Sequence, residues 1–469
     1  MLTKFPRWFW PLLLVLTGCS LQQPTRIEPV PLPDTYLEAA GPAGEPLQRW
    51  WLEFNDPVLN RLMDELFAGN LQLEQAYARL EQASAVLRSS GAARRPSLTL
   101  AGEGGRSLQP GVTGDVEGNN LKGSLAASFE LDLWGRLQKR QQAASLQQQA
   151  SLQDLQTLYL GLSAQLADLY YQAVEQRSQL ELTDATIASY RETLERVDSR
   201  YQQGLAPALE LYQARQSLAA AEAARPRFAG ILATTEHALA VLLGRYPERD
   251  LAGQLAELPS LKEAFPAGLP GSLLQRRPDV AAAYSRLQAA DAEVAVALAD
   301  RLPSLSLLGS AGLLRQDTAV GLLSGEFWSL AGQLALPLVD GGRRRAEVER
   351  TRAVVQERVA GYRQALLNAY REVEDALATN RTGEERVLRL FQTEQATGAT
   401  LRLALARYLH GVSDYLLVLT AQRSHFQTQS ELLSARRQLI ANRISLARAL
   451  GGDWMNAMIE QRRTARQGE

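Results

Sequence analysis

The chain has 469 residues, 46% of them hydrophobic and 22% charged, and a formal net charge of −1. That length suffices for two or three ordinary domains, and the balanced charge supplies no electrostatic pull toward nucleic acid. A single cysteine, Cys19, excludes an intrachain disulfide, and the three histidines His237, His410 and His425 lack a regular ligand spacing, so no metal centre is legible.

Residues 1–18 read as a signal peptide. Lys4 and Arg7 precede a short apolar run from Trp8 to Leu16, too short to cross a bilayer as a helix. Leu16-Thr17-Gly18-Cys19 resembles a bacterial lipobox. The resemblance implies cleavage before Cys19 and its acylation, and Ser20 in place of Asp implies sorting to the outer membrane. No later segment is apolar for the ~18 residues that a helical span needs. Residues 19–55 form a lipidated extended arm, rich in Pro and Gly, including Pro29-Val30-Pro31-Leu32-Pro33. The aromatics of Trp50 to Pro57 are expected to anchor that arm against the body.

From there the chain is written twice. Arg79-Leu80 matches Arg286-Leu287, Pro96-Ser97-Leu98 matches Pro303-Ser304-Leu305, Arg200-Tyr201 matches Arg407-Tyr408, and Leu243-Gly244 matches Leu450-Gly451. All share one offset of ~207 residues, which indicates a tandem repeat. The first repeat spans 56–245, a Pro-rich connector 246–275, the second repeat 276–452, and a C-terminal tail 453–469. Each repeat is expected to hold a helix, a β-hairpin and a long helical hairpin. The helices run Asp56 to Arg94 and Arg277 to Leu302, and Pro96 and Pro303 end them.

The strand signal is clearest from Leu121 to Leu133. Leu121, Leu125, Ala127, Phe129, Leu131 and Leu133 alternate with Lys122, Ser124, Ser128, Glu130 and Asp132. This is the pattern of a strand with one greasy and one wet face, at a length that suits a transmembrane barrel. Gly111, Gly114, Gly118, Asn119 and Asn120 are expected in the hairpin loop before it. In the second repeat Trp328, Leu330, Leu334, Leu336 and Leu338 are expected on one strand face. Asp132 to Arg136 and Asp340 to Arg343 close the two hairpins.

Two very long helices follow in each repeat. Leu155, Tyr159, Leu162, Leu166, Leu169 and Ala173, then Leu180, Ile187, Tyr190, Leu194, Val197 and Tyr201, make a coiled-coil seam interrupted by Gln176 and Thr183. A single helix from Gln138 to Arg200 would be ~95 Å long. The counterpart from Arg343 to Arg407 carries Gly383 and Glu394 at seam positions. Gly204 and Gly411 turn each pair into a hairpin, and Pro226 is expected to kink the return helix of the first repeat.

Four amphipathic strands per chain cannot close around a lumen, and an open edge is not viable in lipid, so the strands imply closure by oligomerisation. The lipobox, the Trp50-to-Pro57 segment, Leu274-Gln275-Arg276-Arg277-Pro278-Asp279 and the paired Tyr-x-x-Gly turns together resemble the outer membrane factor lipoproteins of Gram-negative tripartite efflux systems (TolC-like, NodT family). The resemblance covers essentially the whole mature chain. It implies a mainly α fold with membrane β: a homotrimeric, 12-stranded outer-membrane β-barrel continued by a periplasmic α-helical barrel. It further implies a lipid-anchored, passive exit duct, partnered by a periplasmic adaptor and an inner-membrane pump of the RND type. A protein-secretion exit duct of related architecture, or a lipid-anchored coiled-coil scaffold, are the alternatives. No cofactor is implied beyond the covalent lipid (palmitate) on Cys19.

The resemblance places the closable mouth and adaptor contact at the hairpin tips, Tyr201 to Leu209 and Tyr408 to Leu416. Gly204, Leu205, Ala206, Gly411 and Val412 are the candidate adaptor contacts; helix C-capping is the alternative for the glycines. Asp414, with Ser413, Tyr408 and Tyr201, is the candidate pore constriction, since a symmetric carboxylate ring favours cations. Asp414 is equally a candidate helix N-cap, and the tyrosines are candidate core residues. Arg215, Arg423 and Glu210 are candidate ion-pair partners for a closed state, and Arg277-Pro278-Asp279 reads as a helix start. There is no P-loop, His-Glu-x-x-His or cysteine cluster, so no catalytic constellation emerges.

Overall fold

The computed structural model describes residues 33–38, 48–111, 114–247, 258–259, 276–318 and 321–467. Cys19, the signal peptide, most of the arm and nearly all of the 246–275 connector lie outside the described residues. A 3-10 helix at Trp50–Phe54 precedes α1 (Pro57–Gly69) and α2 (Leu71–Ala92), and then the strands β1 (Ser97–Gly111) and β2 (Gly114–Leu131). Helices α3 (Arg136–Gln202) and α4 (Ala208–Leu242) complete the first repeat. The second holds α5 (Pro278–Ala299), β3 (Ser304–Thr318), β4 (Gly321–Ala335), α6 (Arg343–Leu409) and α7 (Tyr415–Leu450), and α8 (Met455–Gln467) follows.

The internal repeat reaches the level of single hydrogen bonds. Helices α3 and α6 both have 67 residues, and α2 and α5 both have 22. The Asn70 amide donates to the Leu242 carbonyl at 2.7 Å, across 172 residues. One repeat later, at the same ~207-residue offset, the Arg277 guanidinium donates to the Ala449 carbonyl at 3.2 Å, again across 172 residues.

Two compact units divide the chain. The first holds Ala78–Gln153 and Ala281–Ala365, and so contains the sheet. Its strands pair antiparallel in the order β1-β2-β3-β4. Leu100, Leu125, Ala311 and Trp328 form one cross-strand row, and Leu131, Leu305 and Leu334 another. On the opposite face Thr99, Ala126, Ser310 and Ser329 make a polar row, with the Ser310 and Ser329 hydroxyls 2.8 Å apart. The apolar face covers no protein core: Leu100 is 81%, Trp328 81%, Leu330 76% and Leu334 68% exposed. From Leu305 to Leu313 this face rises about 27 Å along β3, matching the apolar band of a membrane barrel. Beyond it, toward the hairpin turns, Arg106 pairs with Glu117 at 3.2 Å, and Asp317 accepts from the Asn119 N–H at 2.9 Å.

The strands are longer than their local composition predicts. Gly118, Asn119 and Asn120 are turn-favouring residues, yet they pair with Ser107, Arg106 and Gly105 inside β2, because the ladder on both sides holds them extended. The second-repeat strand ends at Ala335, so Leu336 and Leu338 lie beyond it, and Leu133 likewise follows the end of β2. Asp132 does not turn a hairpin. Its carboxylate caps α3 by accepting from the Leu137 and Gln138 N–H groups at 3.0 and 2.8 Å. Asp340 does the same for α6 through Gly342 and Arg344.

The second unit holds Pro31–Tyr77, Asp154–Val280 and Leu366–Glu469. Its first helix is not the single rod expected from Asp56. Asn70 leaves the helical region at φ −69 and ψ 123, and its carboxamide oxygen caps α2 at the Leu73 N–H, 3.0 Å away. Trp51 packs edge-on against Trp454 with centroids 4.8 Å apart, beside Phe67 and Tyr159, so the aromatics after the arm anchor it as expected. That contact also makes the C-terminal segment an ordered helix rather than a tail: Trp454, Met455 and Ile459 are buried, and Arg462 donates to the Phe67 carbonyl at 2.8 Å. Nearer the start of the arm, Tyr36 is buried and stacks on Tyr370 at 5.7 Å. Helix α4 continues through Pro226, which lies on an exposed stretch, without a break.

Along the seam of α3, Leu155, Tyr159, Leu162, Leu166, Ala173, Ile187, Tyr190 and Val197 are buried and Leu169, Leu180 and Leu194 half-buried, but Tyr201 at its end is exposed. Of the two polar interruptions, Thr183 donates to the Gln179 carbonyl of its own helix at 2.7 Å and the Gln176 amide oxygen has no partner among the described residues, while other polar residues of α3 are matched across to α7. Gln179 donates to the Ser430 carbonyl at 3.0 Å, Ser434 donates to Glu175 at 2.7 Å, and Gln422 donates to Thr193 at 2.9 Å. Each pair satisfies a buried polar group and fixes helix register. Gly383 is where α6 and α7 approach closely: a Cβ there would lie 3.2 Å from Leu439 and 3.1 Å from the Asn442 amide.

Candidate functional site at the helical-hairpin tips

Both hairpins turn by the same device. The Gly204 N–H bonds the Tyr201 carbonyl at 2.9 Å, and the Leu205 N–H bonds the Arg200 carbonyl at 2.8 Å. Gly411 and Val412 repeat this with Tyr408 and Arg407 at 3.0 and 2.9 Å. These are Schellman caps, and they need a left-handed residue: φ is 71 at Gly204 and 70 at Gly411. The C-cap role of the two glycines is therefore present in the fold.

The two returns differ. Pro207, which has no side-chain donor or acceptor, precedes α4, whereas the Asp414 carboxylate caps α7 by accepting from the Leu417 N–H at 3.3 Å. Beneath the tips lies one apolar cluster of Val197, Leu211, Ala214, Ala404, Tyr408, Tyr415, Val418, Leu419 and Ala421. Tyr408 is 3% exposed, with its ring 5.8 Å from that of Tyr415 and under the Arg200 guanidinium at 4.9 Å. Its hydroxyl donates to the Glu210 carboxylate at 2.9 Å, joining the two hairpins. Burial, and then that carboxylate, raises the Tyr408 pKa, and burial pushes Tyr415 up to about 12.

The candidate residues thus separate into two groups. Tyr408 is a packing residue whose ring is enclosed, so it is not free to line a constriction. Its repeat partner Tyr201 is 41% exposed, contrary to the core role expected for it; in the second hairpin Leu417, not a carboxylate, stands at the position equivalent to Glu210. Ala206 is buried, so its side chain is not offered to a partner, whereas Gly204, Leu205, Gly411, Val412 and Asp414 are exposed. Ser413 is half-buried, and its hydroxyl has no hydrogen-bond partner among the described residues. Arg215 pairs with Asp198 at 3.9 Å through exposed side chains, an interaction of small energy.

Sequence reasoning missed Arg200 and the Tyr408–Glu210 bond. The repeated Arg-Tyr dipeptide marked the place, but only the fold brings Glu210 of one hairpin to the tyrosine of the other. The reading of Arg277 as a helix start is incomplete as well. Its guanidinium binds Asp279 at 2.7 Å and Glu372 at 2.8 Å besides the Ala449 carbonyl, clamping three segments. No group of three or more His, Cys, Asp or Glu side chains able to hold a metal occurs among the described residues. His425 lies 3.3 Å from the Thr397 hydroxyl and 4.0 Å from the Glu394 carboxylate.

A four-stranded sheet with one exposed apolar face, in a chain that also carries two pairs of long helices, fits an outer-membrane channel subunit. The sequence matches the family described as outer membrane efflux protein over residues 62–245 and 269–452, one match for each repeat, and the chain belongs to that family. It is 31% identical to the solvent efflux pump outer membrane protein SrpC of Pseudomonas putida, covering 94% of this chain and 97% of that protein. It is 32% identical to the pyoverdine export outer membrane protein OpmQ of Pseudomonas putida, over 95% of this chain and 96% of that one. Among solved structures, the outer-membrane channel OprN superposes with a TM-score of 0.83 at 29% identity, covering 93% of this chain and all of that one.

Proposed function

We propose that three copies of this chain close their sheets into one barrel in the outer membrane and form the passive exit duct of a tripartite pump. The observation that carries this reading is the sheet itself. Its apolar face is exposed along four strands, and β1 and β4 are its unpaired edges. In lipid such edges must be paired, and a sister copy supplies the matching edge. The cargo is small molecules that pass chemically unaltered, in keeping with the solvent and pyoverdine named for the relatives. No cofactor takes part.

The exposed tip residues Gly204, Leu205, Gly411 and Val412 meet a periplasmic adaptor, and an RND-type inner-membrane pump delivers the cargo. Asp414 serves both as the α7 cap and, repeated about the threefold axis, as a carboxylate ring that favours cations at the mouth. Acylation at Cys19 tethers the mature chain to the membrane. The deciding experiment is electrophoresis of unheated and heated protein together with planar-bilayer recording. A heat-modifiable oligomer that opens conducting pores is expected, and a monomer that inserts none overturns the duct.

A further inference from the structure

Where β4 leads into α6 the chain reads Leu336-Pro337-Leu338-Val339-Asp340-Gly341-Gly342-Arg343-Arg344-Arg345. Leu338 is 84% and Val339 92% exposed, and they follow closely on Leu334, the last apolar residue of the sheet face. The three arginines differ in what they touch. Arg344 is engaged within the protein, donating to Asp340 at 3.0 Å and to the Asp300 carbonyl at 2.8 Å. Arg345 makes only an open pair with Glu349 at 3.0 Å, both side chains being well exposed. Arg343 is exposed, and its side chain has no partner among the described residues.

Helix physics does not account for this run. Cations in the first turn oppose the helix dipole, and Asp340 already caps the helix through Gly342 and Arg344 at 3.1 and 3.2 Å. The repeat supplies the contrast. Arg136 stands where Arg343 stands one repeat later, at the ~207-residue offset, and Glu130 at 2.7 Å and Asp300 at 3.5 Å neutralise it. A cleft of about 640 Å³ beside the corner is lined by Leu133, Trp134, Leu334 and Leu336, and its arginines Arg136 and Arg344 are balanced by Glu130, Asp132 and Asp300, which leaves Arg343 and Arg345 outside it as the exposed cations.

We infer that this corner is a phospholipid site. Leu338 and Val339 enter the acyl boundary, and Arg343 with Arg345 holds the phosphate of an anionic glycerophospholipid. The inference rests on the barrel reading, since only there does the apolar face meet lipid. Continuity with that face and the sign of the free charge select a lipid phosphate over an acidic protein segment. Basic residues beside a bilayer attract anionic headgroups by about fivefold each.

Full-length protein in nanodiscs holding equal phosphatidylglycerol and phosphatidylcholine, released into native mass spectrometry, tests it. The wild type is expected to retain phosphatidylglycerol over phosphatidylcholine by at least about fivefold, and R343Q/R345Q to retain the two equally. L338S/V339S is expected to retain less lipid of both kinds. A wild type without the preference, or a double variant that keeps it, overturns the site. The wild-type ratio decides alone if the variants fail to assemble. Unheated electrophoresis of the same preparation separates the two failures. An intact oligomer without the preference removes only this site, whereas a wild type with no oligomer removes the barrel.

Discussion

Tyr408 and Asp414 are six residues apart in one turn, yet they are held by different forces, and each suggests its own test. Tyr408 is enclosed and joins the hairpins through Glu210. Y408F removes that hydrogen bond while keeping the ring, and is expected to destabilise the helical unit by about 1 kcal/mol or somewhat more, measured by denaturant unfolding. Asp414 is a cap on an exposed turn. D414A is expected to cost about 1 kcal/mol through loss of the cap. D414N keeps the cap but removes the charge, so unchanged stability with reduced cation selectivity in bilayer recordings separates the ring role from the cap role. The buried tyrosines also set a pH dependence. The folded-state pKa values of Tyr408 and Tyr415 lie above the free-chain value, so the stability they contribute is fully present below pH ~10. It is lost as pH rises through the folded values, about 12 for Tyr415. Thermal unfolding is expected to fall in midpoint from pH 9 to 11.5, and less steeply in Y408F/Y415F.

At the scale of elements, the sheet is decided by where its backbones can touch. Gly312 in β3 opposes β2 so closely that a Cβ would land on the Gly123 carbonyl, whereas a Cβ on Gly102 meets nothing within 4 Å. G312A is therefore expected to destabilise the β2–β3 pairing by more than about 2 kcal/mol and to deplete the heat-resistant oligomer on unheated gels, with G102A within about 0.5 kcal/mol of wild type. The long helices were legible because a seam of Leu, Tyr and Val at three- and four-residue steps has one geometric solution. Their ends, expected at Gln138–Arg200 and Arg343–Arg407, fall at Arg136–Gln202 and Arg343–Leu409. The hairpin loops were not legible. Gly118-Asn119-Asn120 has turn composition, and its extended state comes from partners on β1 and β3 that no local window contains.

At the scale of the whole molecule, the repeat sets the architecture and its exceptions mark the specialised places. Asn70 and Arg277 bind equivalent carbonyls, but only Arg277 adds Asp279 and Glu372. R277A removes a buried guanidinium, leaving the Ala449 carbonyl without its donor and two half-exposed carboxylates without their cation, so a loss of about 1–3 kcal/mol is expected by thermal unfolding. Membrane attachment belongs to this scale as well. C19A is expected to lose metabolic palmitate labelling; labelling that persists would remove the lipid anchor.

Period and repetition were determined by the sequence alone. Alternation of Leu125 through Leu131 with polar residues, the seam of α3 and the ~207-residue register are properties of order along one chain. Tertiary structure decided what each repeat partner became: Tyr408 buried and Tyr201 exposed, Arg136 paired and Arg343 free, Asn70 a helix break where Arg277 is a clamp. The physical reason is that periodicity is a local property, whereas a partner such as Glu210, Glu130 or Glu372 is supplied by the way distant segments pack.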